Sequence, residues 1–248
     1  MAAVRLFRSL LFFAAMVVLT LGFATAVVLA YPLAFSVRSR LACLWARSCL
    51  YALNTLCGLG FRVQGIENLP NGGRIIFSNH QSAWETIALL YIIPGPQTWV
   101  LKRELLWVPL FGWALAAVGS IAIDRRSGKR AVARIIERGK ACLAHGRSVI
   151  IFPEGTRVPV GSERRWGKGG ALLASASGYP VVPVAHNAGV FWSRRGILKY
   201  PGMIQVVIGP AIDSKGLGAE QINRQAKAWI DRQLAELPTQ WRSSTPSV

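Results

Sequence analysis

Acidic side chains are scarce in this sequence. It has 11 aspartates and glutamates against 29 lysines and arginines, which gives a formal net charge of +18. A surplus of this size predicts an anionic partner, either a nucleic acid or an anionic membrane surface. The patterns of zinc fingers, helix-turn-helix modules and RNA-recognition motifs are also missing, whereas nine tryptophans and an apolar N-terminus favour a membrane. We therefore expect anionic lipids, and no nucleic acid, as the partner.

Metal-binding residues are also few and poorly spaced. The four cysteines follow no metal-binding pattern and no disulfide framework, which favours a reducing compartment: Cys43, Cys49, Cys57 and Cys142. A zinc site built from His80, Glu85 and His186 would lack the zincin signature. The segment 127–130 resembles the end of a P-loop, but Ile123 stands where its first glycine is required. The sequence therefore predicts neither a metal centre nor a P-loop.

The N-terminus contains two apolar segments. Leu10 to Phe35 carries no charge and exceeds the roughly 20 residues that span a bilayer. Ala24-Thr25-Ala26 resembles a signal-peptide cleavage site, but the apolar run continues beyond it, which favours an uncleaved anchor. Leu41 to Phe61 indicates a second helix that lies in the interface or returns toward the first surface. Residues 1–60 are thus predicted to be membrane-anchoring helices, and basic residues on both sides leave open whether the first one crosses.

Residues 61–240 alternate short apolar runs with segments of helical periodicity. The predicted strands are Phe61–Val63, Arg74–Ser78, Thr98–Leu101, Ser120–Ile123, Ser148–Phe152, Val181–Ala185 and Ile204–Ile208. The predicted helices are Thr86–Ile93, Lys129–His145, Gly169–Ser177 and Ala219–Leu237. Strands that alternate with helices predict an α/β domain with a mostly parallel mixed sheet flanked by helices. Residues 241–248 are expected to form a disordered tail.

One segment, residues 79–85, combines a histidine and a carboxylate between a predicted strand and a predicted helix. His80 can take a proton from a hydroxyl, and a carboxylate on its other ring nitrogen, here Glu85, makes it a better base. On a regular helix the two side chains would point about 140° apart, so His80 must lie on the turn before the helix. Asn79 and Ser82 favour such a turn. The alternative is a chance spacing, with His80 only a hydrogen-bonded residue at a strand end.

Two further segments offer groups for an anionic ligand. Residues 152–157 (Phe-Pro-Glu-Gly-Thr-Arg) follow a predicted strand, and Arg157 has the planar fork that binds phosphate; a turn with a solvated arginine is the alternative. Lys102 and Arg103 end another strand and could bind a second anionic group or form a solvated boundary. Residues 181–187 predict an apolar pocket wall. His186 could contact the substrate, but a loop histidine that is hydrogen-bonded internally is the favoured interpretation.

These segments, in this order, resemble the glycerolipid acyltransferase family over residues 79–187. The resemblance implies that His80 and Glu85 are the catalytic pair, although the family usually has Asp where this chain has Glu85. It also implies a set of substrate-binding residues: Lys102, Arg103, Glu154, Gly155, Thr156, Arg157 and Pro183. The implied reaction transfers an acyl group from acyl-CoA or acyl-carrier protein to the sn-2 hydroxyl of lysophosphatidic acid, with no metal or organic cofactor, because a thioester is already activated.

The resemblance further implies a bacterial inner membrane location, with the catalytic domain facing the cytoplasm. Two alternatives remain open within the same fold. The acceptor could be another lysolipid, such as a lyso-ornithine lipid, or the chain could be a non-catalytic lipid-binding protein. A histidine and carboxylate pair, which a binding module does not need, favours catalysis.

Overall fold

The computed structural model describes residues 2–241, and within them seven strands form one sheet in the order β1-β7-β6-β2-β5-β3-β4. The strands are β1 (Leu59–Gln64), β2 (Arg74–Ser78), β3 (Gln97–Lys102), β4 (Ile121–Ile123), β5 (Ser148–Ile151), β6 (Val181–His186) and β7 (Gly202–Ile208). Neighbours are parallel except β6 and β7, which are antiparallel. All seven predicted strands are present, and the prediction of a mostly parallel mixed sheet is confirmed.

Helices cover both faces of the sheet, so the central strands are buried along their whole length. Every residue of β2, β5 and β6 is buried. One apolar cluster joins one face to α2 (Phe35–Cys57) and α3 (Trp84–Ile92). The other cluster joins the opposite face to α5 (Lys129–Ala144), α6 (Gly169–Ser177) and α8 (Ala219–Glu236). Two short helices complete the domain: α4 (Phe111–Ala117) and α7 (Ala188–Phe191).

The two N-terminal helices differ from the predicted apolar segments at their ends. Helix α1 (Ala2–Leu29) begins earlier than predicted and stops before Pro32, which has no N–H to donate and does not extend the helix. Helix α2 begins at Phe35, where the first segment was predicted to end, and it stops at Gly58, whose φ of 65° caps it. Helix α1 is long and apolar enough to cross a membrane.

Helix α1 is packed against the α/β domain along its length. Near its start, the Ser9 hydroxyl accepts a hydrogen bond from the Lys199 amide at 2.9 Å. Farther along, the Thr20 hydroxyl accepts one from the Trp45 indole of α2 at 3.1 Å. Trp241, the first residue of the predicted tail, donates to the Pro201 carbonyl at 2.8 Å, and the rest of that tail lies outside the described residues.

Candidate active site

The histidine and the carboxylate meet in the turn between β2 and α3. His80 lies two residues beyond the end of β2, and Glu85 lies in the first turn of α3. One carboxylate oxygen, Oε1 of Glu85, accepts three hydrogen bonds: from His80 Nδ1 at 2.8 Å, the Gln81 amide at 2.8 Å and the Ser82 amide at 2.7 Å. Glu85 therefore fixes the turn that precedes its helix and holds the imidazole with the same atom, which is the geometry that the pair requires.

Electrostatics and hydrogen bonding favour a charged Glu85 carboxylate beside the His80 ring. Glu85 is fully buried, which alone raises its pKa, but the neighbouring imidazoles and the hydrogen bonds from His80 and Ser82 bring the pKa below its ordinary value. Because a carboxylate only accepts hydrogen bonds, His80 carries its proton on Nδ1. The lone pair on Nε2 is then available to accept a proton from a substrate.

The second histidine of this region, His186, has a structural environment. Its side chain is fully buried, and burial lowers its pKa, so the ring is neutral. Its Nε2 lies 2.9 Å from the Asn79 carbonyl oxygen, and its Nδ1 accepts from the Ala188 amide at 3.3 Å. Both ring nitrogens are therefore engaged, as the sequence predicted, but His186 is the last residue of β6 and not a loop residue.

The loop after β5 packs directly on His80. The Phe152 ring stacks on the imidazole with 4.1 Å between ring centroids. The Glu154 side chain accepts a hydrogen bond from the His80 amide at 3.0 Å, and the Val158 amide donates to the His80 carbonyl at 2.7 Å. Parallel pairing of β2 with β5 brings the two motifs together, because it puts both strand ends at the same edge of the sheet.

An apolar cavity of about 330 Å³ opens beside the imidazole. Four basic or titratable side chains line it, all carried by carboxyl ends of parallel strands or by the loops after them: His80, Lys102, Arg125 and Arg157. Most of the remaining wall is apolar and comes from α1, α2, β3 and α4, for example Phe23, Ala24, Trp45, Trp99, Phe111 and Leu115. The arrangement can hold a long apolar chain with an anionic group near the base.

The structure places only some of the substrate-binding residues implied by the resemblance in the wall of the cavity. Lys102 and Arg157 line the cavity, whereas Arg103 points to Asp124 at 3.6 Å. Gly155, with a φ of 71°, donates its amide to the Phe152 carbonyl at 3.0 Å and so completes a turn. Thr156 belongs to the same loop and is half-buried.

Pro183 lies within β6 and is buried. Its neighbours Val182 and Val184 face the cluster beside α2 and α3, so by strand alternation Pro183 faces α8 on the opposite side of the sheet. Its ring lies near Gly209 and Trp229 there. The structure therefore places Pro183 away from the cavity and in the packing between the sheet and α8.

Sequence reasoning missed two contributions to this site. Arg125 lines the cavity just after β4, and the signal was available, because Asp124-Arg125-Arg126 follows a predicted strand. The second is the wall supplied by α1 and α2, which were assigned to membrane anchoring alone. No local pattern in an apolar helix shows that one of its faces lines a cavity.

Comparisons with known proteins agree with this geometry. An acyltransferase family model matches residues 60–187, more than half of the chain. The chain is 46% identical over 206 residues to a 1-acyl-sn-glycerol-3-phosphate acyltransferase of Pseudomonas aeruginosa, covering 82% of this chain and 80% of that protein. It is 31% identical over 176 residues to one of Borreliella burgdorferi, covering 70% of each.

A solved structure gives the same fold. The 1-acyl-sn-glycerophosphate acyltransferase of Thermotoga maritima superposes with a TM-score of 0.79 at 23% identity, covering 96% of this chain and 98% of that one. The α/β prediction, with its mixed sheet and flanking helices, is thereby confirmed. The family match and the Pseudomonas relative together show that this chain belongs to the acyltransferase family.

Proposed function

We propose that this chain transfers a fatty acyl group from an acyl thioester to the free sn-2 hydroxyl of 1-acyl-sn-glycerol-3-phosphate, forming phosphatidic acid. The observation that carries the proposal is the His80–Glu85 pair on the wall of an apolar cavity that Arg125 and Arg157 also line. The names of the Pseudomonas and Borreliella relatives support the same acceptor.

The proposed reaction uses His80 as the general base. Nε2 takes the hydroxyl proton while the oxygen attacks the thioester carbon, and the charge of Glu85 stabilises the imidazolium that forms. When the tetrahedral intermediate collapses, the carbon–sulfur bond breaks and the imidazolium returns the proton to the leaving thiolate. A base of this kind contributes about 10²–10⁴-fold, and the rest must come from positioning and charge stabilisation.

The basic residues of the cavity support a phosphorylated acceptor. Arg157 and Arg125 offer guanidinium forks that bind phosphate in a bidentate manner, and Lys102 adds a point charge. The apolar wall suits the acyl chain, since it removes methylene groups from water. The donor is acyl-CoA or acyl-carrier protein, both acidic, and the net charge of +18 attracts either of them.

The exposed surface supports a membrane as the second partner. Helix α1 presents large apolar residues to solvent, among them Val4, Phe7, Leu10, Phe13, Val18 and Leu21. Trp113 lies in α4, the helix that contacts α1, and Trp107 lies just before it; they are 59% and 68% exposed. Contacts with the domain near Ser9 and Thr20 hold α1 along the globule, which favours insertion into one leaflet over a free crossing. The proposed location is the inner membrane, with the domain facing the cytoplasm.

Thiol release from acyl-CoA in the presence of lysophosphatidate tests the proposal. We expect His80→Ala to lower the rate by about 10²–10⁴-fold while binding to vesicles persists. His145→Ala is the matched control, because His145 is exposed at the end of α5. Unchanged thiol release in His80→Ala would refute the mechanism. Wild-type turnover of a lyso-ornithine lipid instead of lysophosphatidate would refute the acceptor, and no turnover of either would favour a lipid-binding protein.

A further inference from the structure

Glu154 and Arg157 belong to one loop but line different cavities. Arg157 lines the apolar cavity together with the His80 ring. Glu154 lines a second cavity of about 290 Å³, whose wall comes from the 158–166 segment and α8 and also includes Gln81. The His80–Gln81 segment therefore lies between the two cavities, because His80 lines the first and Gln81 lines the second. A single phosphate in the first cavity would be on the Arg157 side of that segment.

The chemistry of Glu154 also makes it a poor ligand for a phosphorylated acceptor. A carboxylate and a phosphate are both hydrogen-bond acceptors and both anions, so direct contact between them is repulsive. A carboxylate is well suited, by contrast, to the bond that Glu154 makes in this structure, in which its Oε2 accepts from the His80 amide at 3.0 Å.

The main chain of His80 is held almost entirely by this loop. Glu154 binds its N–H, and the Val158 amide donates to its carbonyl oxygen at 2.7 Å. The loop is itself anchored, since the Pro153 carbonyl accepts from the Gly167 amide at 2.7 Å. Glu85 fixes the His80 ring, but the position of the ring also depends on the position of the His80 main chain. The bond from Glu85 to the ring and the bond from Glu154 to the main-chain amide are therefore complementary.

We infer that Glu154 is a positioning residue, which fixes the catalytic histidine through its main-chain amide and does not bind the acceptor phosphate. The inference deepens the proposed function and rests on it for the role of His80. Loss of the Glu154 acceptor frees the His80 amide and displaces the imidazole from Glu85 and from the substrate hydroxyl. Misplacement of about 1 Å costs about 10²-fold in rate.

The conservative variant discriminates between the two roles. A side-chain amide has nearly the same size and shape as a carboxyl group and keeps one acceptor oxygen, so glutamine is a close substitute for Glu154. The carbonyl oxygen of Glu154→Gln can accept from the His80 amide, whereas Glu154→Ala cannot. Glu163→Ala is the matched control, because Glu163 lines the same second cavity and its side chain is 90% exposed.

The experiment measures kcat and KM for lysophosphatidate, with one acyl-CoA, in all four proteins. We expect Glu154→Ala to lower kcat by about 10²-fold with KM changed less than about twofold. Glu154→Gln should recover most of kcat, and Glu163→Ala should match the wild type. A raised KM with unchanged kcat in Glu154→Ala would overturn the inference, as would a Glu154→Gln enzyme as slow as Glu154→Ala.

A second measurement needs no substrate and so separates this inference from the proposed function. Diethyl pyrocarbonate modifies histidine rings, and mass spectrometry gives the modification rate of His80 alone. We expect Glu154→Ala to change that rate and Glu154→Gln and Glu163→Ala to leave it at the wild-type value. An unchanged rate in Glu154→Ala would overturn the positioning role even if the acceptor proved to be another lysolipid. Absence of wild-type turnover would refute the proposed function and leave this comparison intact.

Discussion

Replacing Glu85 by glutamine separates its charge from its geometry. Oε1 of Glu85 accepts from two main-chain amides, Gln81 and Ser82, and from His80 Nδ1. The two amides can be satisfied only by an oxygen, so they hold the amide oxygen of Glu85→Gln in the position of Oε1. His80 then keeps its proton on Nδ1 and its lone pair on Nε2, and the only loss is the negative charge.

The size of the effect follows from the hydrogen bond that changes. A hydrogen bond to a charged group contributes about 1.5–3 kcal/mol and a neutral one about 0.5–1.5 kcal/mol, so the imidazolium loses about 1–2 kcal/mol of stabilisation. At 1.36 kcal/mol per factor of ten, kcat should fall by roughly 5–30-fold. The new NH₂ group takes the place of Oε2, a buried atom that already has no hydrogen-bond partner among the described residues, so the exchange leaves the number of unpaired buried groups there unchanged.

Alanine at the same position should be far more damaging. Glu85→Ala leaves the amides of Gln81 and Ser82 buried without an acceptor, at about 1–3 kcal/mol each. That sum is a large share of the roughly 5–15 kcal/mol by which a domain is stable. Thiol release and urea unfolding, measured on both variants, check the two expectations. A folded Glu85→Gln enzyme that loses more than about 10³-fold in kcat would show that the new amide had flipped and donates to Nδ1 of His80. The ring proton would then lie on Nε2, and this reasoning would be refuted.

Two further predictions concern the cavity. Arg157→Ala and Arg125→Ala should each raise KM for lysophosphatidate by about tenfold or more, because each removes a charged hydrogen bond to the phosphate. Arg103→Ala should raise KM less, because Arg103 faces Asp124. Steady-state kinetics on the three variants checks this order of KM values, and the reverse order would contradict the placement of these arginines. Ala24→Phe should fill part of the cavity beside α1 and shift the donor preference toward shorter acyl chains, with kcat/KM about fourfold lower for each methylene group excluded. A series of acyl-CoA donors of increasing length measures this shift. An unchanged preference would show that the acyl chain binds elsewhere.

The features of this protein that depend on residues close together in the sequence could be predicted from the sequence. Helices cover both faces of strands such as Arg74–Ser78 and Val181–His186, and that burial is visible in the sequence as the short apolar runs at their centres, 75–77 and 181–185. The pairing of His80 with Glu85 was predictable for the same reason, since both lie in one turn between a strand and a helix. The ends of the apolar N-terminal segments were wrong, because hydrophobicity does not report where Pro32 interrupts the helix.

The meeting of distant segments was decided by the tertiary structure alone. The sheet order sets β5 beside β2, and only that pairing brings Glu154 to the His80 amide. It also decides that Arg125 lines the cavity while Arg103 turns to Asp124, a difference that two similar basic clusters cannot show in one dimension. The physical reason is that residue periodicity records which side of an element is buried. Which elements become neighbours depends on long-range strand pairing, which local sequence patterns do not specify.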